Sequence, residues 1–454
     1  MKRIFFPHFN PFFLVALACC TGILIVFGWM YGVQAKAALS LDAITETLKI
    51  VPDDGHINDK FGNVLALDGK TLVIGARENN DGGIDAGAVY IYEQVSADPI
   101  SWTLSLKLVV SDSLPLANFG ASFSLDGNLL SVGAPNDSGE IGAVYLFERN
   151  LGGAEQWGQV KKLVPENGEA GDYFGVSVAL QDDLLFVGAD GDDDRAGDAG
   201  TVYLFERNQG GADQWGFVKK IYSTHTDHGD HFGTAMALER DTLVVGAPFD
   251  DLGGANRAGK VIVFERNQDG ENEWGEVKVI WTSDAFTDDF FGTSVTISGD
   301  YLAAGAIGQN ALGNDSGAVY VFFRHEGGLN QWGETRKIVA SDGGLSQKFG
   351  ASVSMVGPLL LVGEPEDGTF ITGNGAAYLY GYFQGGIGTW GEVTQLLASD
   401  AANLDGFGGA VVLGASHLFV GARLDADQGD NSGSVYDFDR PATATAIFLP
   451  AAIR

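Results

Sequence analysis

Residues 174–205 read Phe174-Gly-Val-Ser-Val-Ala-Leu-Gln-Asp-Asp-Leu-Leu-Phe-Val-Gly-Ala-Asp-Gly-Asp-Asp-Asp-Arg-Ala-Gly-Asp-Ala-Gly-Thr-Val-Tyr-Leu-Phe205. The stretch Phe174–Leu180 alternates, Asp182-Asp183 marks a two-residue turn, and Leu184–Ala189 is more continuously apolar. An Asp-rich loop, Asp190–Ala199, leads into Gly200–Phe205. Glu206-Arg207-Asn208 then opens a Gly-rich loop, and a last stretch runs from Trp215-Gly216 to Tyr222. Short runs of β-branched and aromatic residues, bounded by Asp and Gly, are the pattern of strands joined by tight turns. The unit therefore predicts four short antiparallel strands.

The same phrase recurs along the chain. Phe-Gly pairs begin at Phe61, Phe119, Phe174, Phe232, Phe291, Phe349 and Phe407, at intervals of 55–59 residues. A Gly closes the second stretch of each copy, and Gly87, Gly142, Gly200, Gly259, Gly317, Gly375 and Gly433 open the third. Trp102, Trp157, Trp215, Trp274, Trp332 and Trp390 open the fourth. A fixed period of this size with four strands per unit is the signature of a propeller blade. The fold expected is all-β: a seven-bladed β-propeller over residues 44–440, with four antiparallel strands per blade. The Phe and Trp residues are expected to pack between sheets, and the Gly residues to allow close backbone approach near the axis.

The seventh copy lacks a following Trp-Gly stretch, yet Leu48-Lys-Ile-Val-Pro-Asp-Asp-Gly55 resembles Lys161-Lys-Leu-Val-Pro-Glu-Asn-Gly168. The N-terminal strand is thus expected to complete blade seven and close the ring, which removes an exposed sheet edge. Ala446–Pro450 is the rival for that place, and residues 441–454 are otherwise a short tail.

The first 37 residues form a separate device. Lys2 and Arg3 precede an uncharged run, Phe12–Val33, followed by Ala35, Lys36 and Ala37. This pattern fits a secretory signal cleaved near Ala35 or Ala37, with an uncleaved N-terminal membrane anchor as the alternative. Either way the charge bias places the repeats outside the cell. Both cysteines, Cys19 and Cys20, lie in this run, so the remainder has no thiol chemistry.

The chain carries a formal net charge of −32. That excess of acid argues against nucleic acid, whose phosphates need basic patches, and suits a solvated surface, cations or a basic partner. In a propeller, the loops joining strands two and three lie on the same face as those joining strand four to the next blade. These loops hold more than half of the 59 acidic residues. The only bases among them are Lys60, Arg77, Arg195, Arg257, Lys348 and Arg423. One acidic face is expected, with phrases such as Glu206-Arg207 and Lys219-Lys220 on the opposite one.

The Phe-Gly and Gly-Ala-Pro pattern resembles the FG-GAP repeat, which builds the seven-bladed propeller of integrin α subunits. The resemblance covers about residues 44–440 and is closest to cysteine-free bacterial surface versions. It implies extracellular recognition of a protein or glycan, or adhesion, by a monomeric propeller that touches a membrane only through its N-terminal segment. Calcium-binding blades of integrins carry an Asp-rich loop between strands one and two. Here that connection is very short, as at Asp68-Gly69, Asp126-Gly127 and Asp182-Asp183. It is too poor in oxygen donors for an ion that takes six to eight.

If calcium binds, the Asp-rich loops one strand later are the candidates: Asp190, Asp192, Asp193, Asp194 and Asp198 in one, Asp425, Asp427 and Asp430 in the other. The plainer reading is that Asp and Gly make good turns, and it applies also to the Asp two residues before Phe in five copies (Asp59, Asp172, Asp230, Asp289 and Asp405). His225, His228 and His231 beside Asp227 and Asp230 could ligate zinc or copper, but they fall in a loop where their spacing gathers nothing. No Ser/His/Asp grouping or phosphate-binding loop stands out. A non-catalytic, exported recognition module is expected. A hydrolase acting at the central funnel and a purely structural surface protein are the alternatives.

Overall fold

A computed structural model describes residues 44–440, apart from 98–99, 113, 269, 366–372, 383, 385 and 387. The uncharged run Phe12–Val33, both cysteines and the rival strand Ala446–Pro450 lie outside the described residues. Among the described residues, no helix is long and apolar enough to cross a membrane.

Seven four-stranded antiparallel sheets follow one another along the chain. Blade one comprises Phe61–Asp68, Thr71–Ala76, Ala88–Ala97 and Ile100–Leu108. Blade three comprises Val178–Gln181, Leu184–Ala189, Thr201–Glu206 and Gly216–Ile221. Strands one and two are joined by two-residue turns, as at Asp182-Asp183. The first strands pack against one another from blade to blade, so they are the innermost ones. Second strands are buried throughout, as in Leu184–Ala189, because a sheet covers each of their faces. Fourth strands are mostly half-buried, as in Gly216–Ile221.

Blade seven takes Phe407–Leu413, His417–Ala422 and Ser434–Asp439 from the end of the chain, and Glu46–Ile50 from its beginning. Ile50 faces Val435, Lys49 faces Tyr436 and Glu46 faces Phe438. The ring is closed by the N-terminal strand, as the resemblance between Leu48–Gly55 and Lys161–Gly168 predicts.

The Phe-Gly pair does more than begin a strand. In blade three the regular strand starts only at Val178, not at Phe174. Phe174 N–H donates to Ile141 O of the preceding blade (3.0 Å), while Gly175 N–H returns to its own blade at Gly188 O (2.8 Å). The pair therefore stitches two sheets, and a parallel bridge joins Gly142 to Phe174. The equivalent bridge between Phe61 and Gly433 completes the circle. Gly200 shows why only glycine serves at the other end of this stitch. Its φ is +80°, and a Cβ there would collide with the Phe232 carbonyl of the next blade.

The core lies between blades. One cluster joins Val144, Leu146 and Leu163 of blade two to Phe174, Leu185, Tyr203, Phe205 and Trp215 of blade three. All seven Phe of the Phe-Gly pairs are fully buried. Phe174 meets Tyr203 edge-on at 5.1 Å and Phe205 at 6.0 Å, a geometry that favours aromatic pairs beyond area alone.

Candidate functional site

The acidic loops converge on one face, and lysines stand among their carboxylates. Lys49, Lys107, Lys162, Lys220 and Lys337 each precede the last apolar residue of a fourth strand. Each ammonium lies over the ring of a third-strand tyrosine, at 4.6–5.3 Å from its centre. Beyond the ring it meets the carboxylates of the loops. Lys49 Nζ lies 2.6 Å from Asp400, 2.9 Å from Asp425 and 2.6 Å from Asp427. Lys220 Nζ lies 2.6 Å from Asp192 and 2.5 Å from Asp194. Lys107 joins Asp54 and Asp81 (2.7 and 2.5 Å), Lys162 reaches Asp137 (2.9 Å), and Lys337 reaches Asp284 (2.7 Å).

Two blades depart from this plan in instructive ways. Blade four has Val279 and Ile262 where the others have lysine and tyrosine. There Lys260, from the start of the third strand and fully buried, supplies the charge to Asp230 and Asp250. Blade six has Gln395, whose amide donates to Asp342 (3.0 Å). Thus the expectation that Lys219-Lys220 sits on the opposite face is corrected. Lys220 reaches the acidic loops because it stands next to the end of the fourth strand, which runs toward them, while the pleat turns Lys219 to the other side of the sheet, where it pairs with Glu273 of the next blade.

These contacts set the local electrostatics. Burial pulls the Lys49 ammonium down, but Asp400, Asp427 and Asp425 together hold it well above its ordinary value. Lys220 is likewise raised, against the pull of burial, by Asp192 and Asp194. Burial alone would lift Asp400, yet Lys49 and Tyr436 hold it below the usual carboxylate range. Asp54 and Asp284 are lowered in the same way by Lys107 and Lys337. Tyr436 is pushed up by burial and by its bonds to Asp425 and Asp400, 2.8 Å each.

The structure distributes the candidate metal ligands unevenly. Asp425 and Asp427 come together with Asp400, their oxygens lying within 4.8 Å of one another. Asp430 stands apart, and its carbonyl accepts from Asn58 N–H. Of the other loop, Asp192 and Asp194 share Lys220, while Asp190 turns to Thr234 Oγ1 (3.2 Å). Asp198 adopts a left-handed φ of 53° and offers its carbonyl to His231 N–H. In both loops, therefore, converging carboxylates already surround an ammonium. The residue types suit calcium, which prefers hard oxygen donors, but an ion would have to displace Lys49 or Lys220.

The Asp two residues before Phe acts as a turn former. Asp59, Asp172, Asp230, Asp289 and Asp405 each accept from the backbone N–H three residues earlier, at 2.6–2.9 Å. Burial raises the Asp289 carboxyl to about 6. The three histidines diverge: His225 Nδ1 meets Glu276 (2.7 Å), and His231 faces Asp190 only at 4.0 Å. Thr234 Oγ1 lies 3.2 Å from the Asp190 carboxylate and 2.7 Å from the His231 carbonyl.

The opposite face is bound by arginines. Arg149 reaches back to Glu93 of the preceding blade (2.7 Å), Arg207 reaches Glu148 (3.2 Å), and Arg324 joins Glu265. Arg266 has Asp241 of its own blade at 3.9 Å instead. A cavity of about 590 Å³ lies at that junction, beside Leu184, Glu206, Arg240 and Arg266.

The lysine of the fourth strand was legible but missed. It recurs just before the closing Leu or Ile in five copies, opposite a tyrosine in each, which is a signal of charge placement rather than of chance. Comparison with known families finds these repeats. The model described as FG-GAP repeat covers residues 44–92, 102–147, 157–205, 215–264, 274–322, 332–380 and 390–438.

Proposed function

The chain belongs to the FG-GAP repeat family, and on that premise we propose that it is a non-catalytic, exported recognition module for an extracellular protein or glycan. A family fold does not by itself fix a function; the acidic face is the feature that points to recognition. The observation that carries it is the set of lysine clamps. They hold the loop carboxylates at fixed positions, with Lys49 among three of them and Lys220 between two. A preorganised charged surface loses little entropy on binding and steers a partner of opposite sign. Calcium, on this reading, is an adjunct that competes with lysine rather than a requirement.

The test is binding of the purified protein to the surface of intact cells, measured by fluorescence at rising salt. Saturable binding that weakens with salt is expected, because exposed charges are screened over about 10 Å at 0.1 M. Absence of saturable binding would overturn the reading. Sequencing the N-terminus of the secreted or membrane-bound protein distinguishes a cleaved signal from an anchor.

A further inference from the structure

From blade three round to blade seven, successive blades are tied at the rim by a Ser–Glu pair. Ser223 Oγ donates to Glu276 (2.7 Å), Ser283 to Glu334 (3.0 Å), Ser341 to Glu392 (3.1 Å) and Ser399 to Glu46 (3.1 Å). The junction of blades two and three abandons this device. Its fourth strand carries Phe217 where those four carry Glu, and the outgoing loop reads Val164-Pro165-Glu166-Asn167 without a serine. An open cleft of about 270 Å³ lies there, against Pro165, Asn167, Asp194 and Phe217.

Phe217 is 43% exposed, an unusual state for a large aromatic residue. Its ring is nevertheless held in place, edge-on to Phe205 at 5.8 Å and tilted against Tyr203 at 6.0 Å. Val164 supplies a second exposed apolar wall, at 54%. Around these stand groups of both hydrogen-bonding kinds: the Glu166 and Asp194 carboxylates accept, and the Asn167 amide can donate and accept. Lys220, beside Asp194, brings a positive charge to the same wall.

We propose that this cleft is a subsite for a neutral pyranose unit of a glycan. A sugar ring offers a flat C–H face to the phenyl ring of Phe217, and neighbouring hydroxyls that both donate and accept. The volume, about 270 Å³, falls just below the range of drug-sized ligand pockets, which suits a single sugar ring. Charge narrows the choice further. An acidic sugar would meet Glu166 and Asp194, while a cationic occupant drawn by the same carboxylates is the competing outcome that a lysine oligomer tests. The proposal rests on the recognition reading and names the ligand class for one place on the molecule.

The test is saturation-transfer NMR and calorimetric titration of the purified full chain. The probes are methyl glycosides of glucose, galactose, mannose and N-acetylglucosamine, with a lysine oligomer as the cationic comparison. At least one glycoside is expected to bind in the millimolar range. Phe217→Glu, which installs the residue that four other blades carry, should weaken it at least tenfold, and Phe217→Ala should do likewise. Leu104→Ala, at the corresponding position of blade one, should leave it unchanged. The proposal is overturned if no glycoside binds, if the Phe217 variants bind as the parent does, or if the lysine oligomer alone binds in a Phe217-dependent way. Cell-surface binding that persists without glycoside binding would overturn the cleft and leave the recognition reading standing.

Discussion

Replacing Lys49 by Met removes one charge from the closing strand and leaves three carboxylates facing one another. The cost follows from their exposure. Asp425 is nearly buried, with 5% of its side chain accessible, and Lys49 is 16% accessible. Breaking such a pair by deleting one partner costs about 3–5 kcal/mol when both are buried. Asp400 and Asp427 are 47% and 46% accessible, so solvent screens them and each adds less than about 1 kcal/mol. The lower end, about 3 kcal/mol at pH 7, is therefore expected. The pH dependence identifies the cause. Asp400 has a lowered folded value, so its stabilisation is present above the ordinary carboxylate pKa and is lost as pH falls through that folded value. Lys49 has a raised folded value, so its share is present below 10.5 and is lost only as pH rises through that folded value. Urea unfolding of both proteins from pH 3 to 8 should show a gap that is widest near neutrality and narrows in acid as Asp400 takes up its proton. A gap below about 0.5 kcal/mol at pH 7, or one that persists undiminished at pH 3, would refute the reasoning. With the lysine gone, calcium has the three carboxylates to itself. At ten times a dissociation constant of about 1 mM, typical of weak extracellular sites, it would restore about 1.4 kcal/mol by mass action. The parent protein should gain less.

Other outcomes follow from the same geometry. Asp289 is fully buried and raised to about 6, so the folded state holds its proton more tightly than the unfolded chain. Its contribution is complete below about 4 and is lost as pH rises through about 6, a difference of about 3 kcal/mol. In Asp289→Asn, urea midpoints measured between pH 4 and 7 should lose that component. Arg324→Met removes the bonds to Glu265 and Thr242 across the junction of blades four and five. A loss of about 1–3 kcal/mol is expected, and it should largely vanish in an Arg324→Met/Glu265→Gln double variant. Deleting residues 44–50 leaves Ser434–Asp439 as an open edge. Light scattering should then report self-association, since unpaired edges recruit other chains. A monodisperse, fully stable deletion protein would contradict the closure.

The architecture was legible because each blade states it independently. Phe-Gly, the Gly that opens the third strand and the Trp recur with one period, and the closing strand announces itself by its likeness to Lys161–Gly168. What the sequence hid was partnership across blades. Phe174 reads as the first residue of a strand, but its N–H belongs to the neighbouring sheet, and a linear pattern does not display such exchanges. Lys220 reads as one of two adjacent bases, whereas the pleat sends Lys219 and Lys220 to different partners. The Asp clusters were visible as candidate cation sites. That a cation from the same chain already stands among them needed coordinates, because Lys49 and Asp425 are separated by almost the whole sequence. Phe217 was also visible in sequence. Its meaning emerged only once four other blades showed glutamate bound to serine at that position.

The closing sheet also has a mechanical reading. Glu46 faces Phe438 at one end of the ladder, and Ile50 faces Val435 at the other. The chain enters beside Glu46 and leaves beside Asp439, so both ends emerge from the same end of the strand pair. A pull between them would load the backbone bonds one after another, as a zipper opens, and not all at once in shear. The ring is thus weakest to tension applied along its own chain.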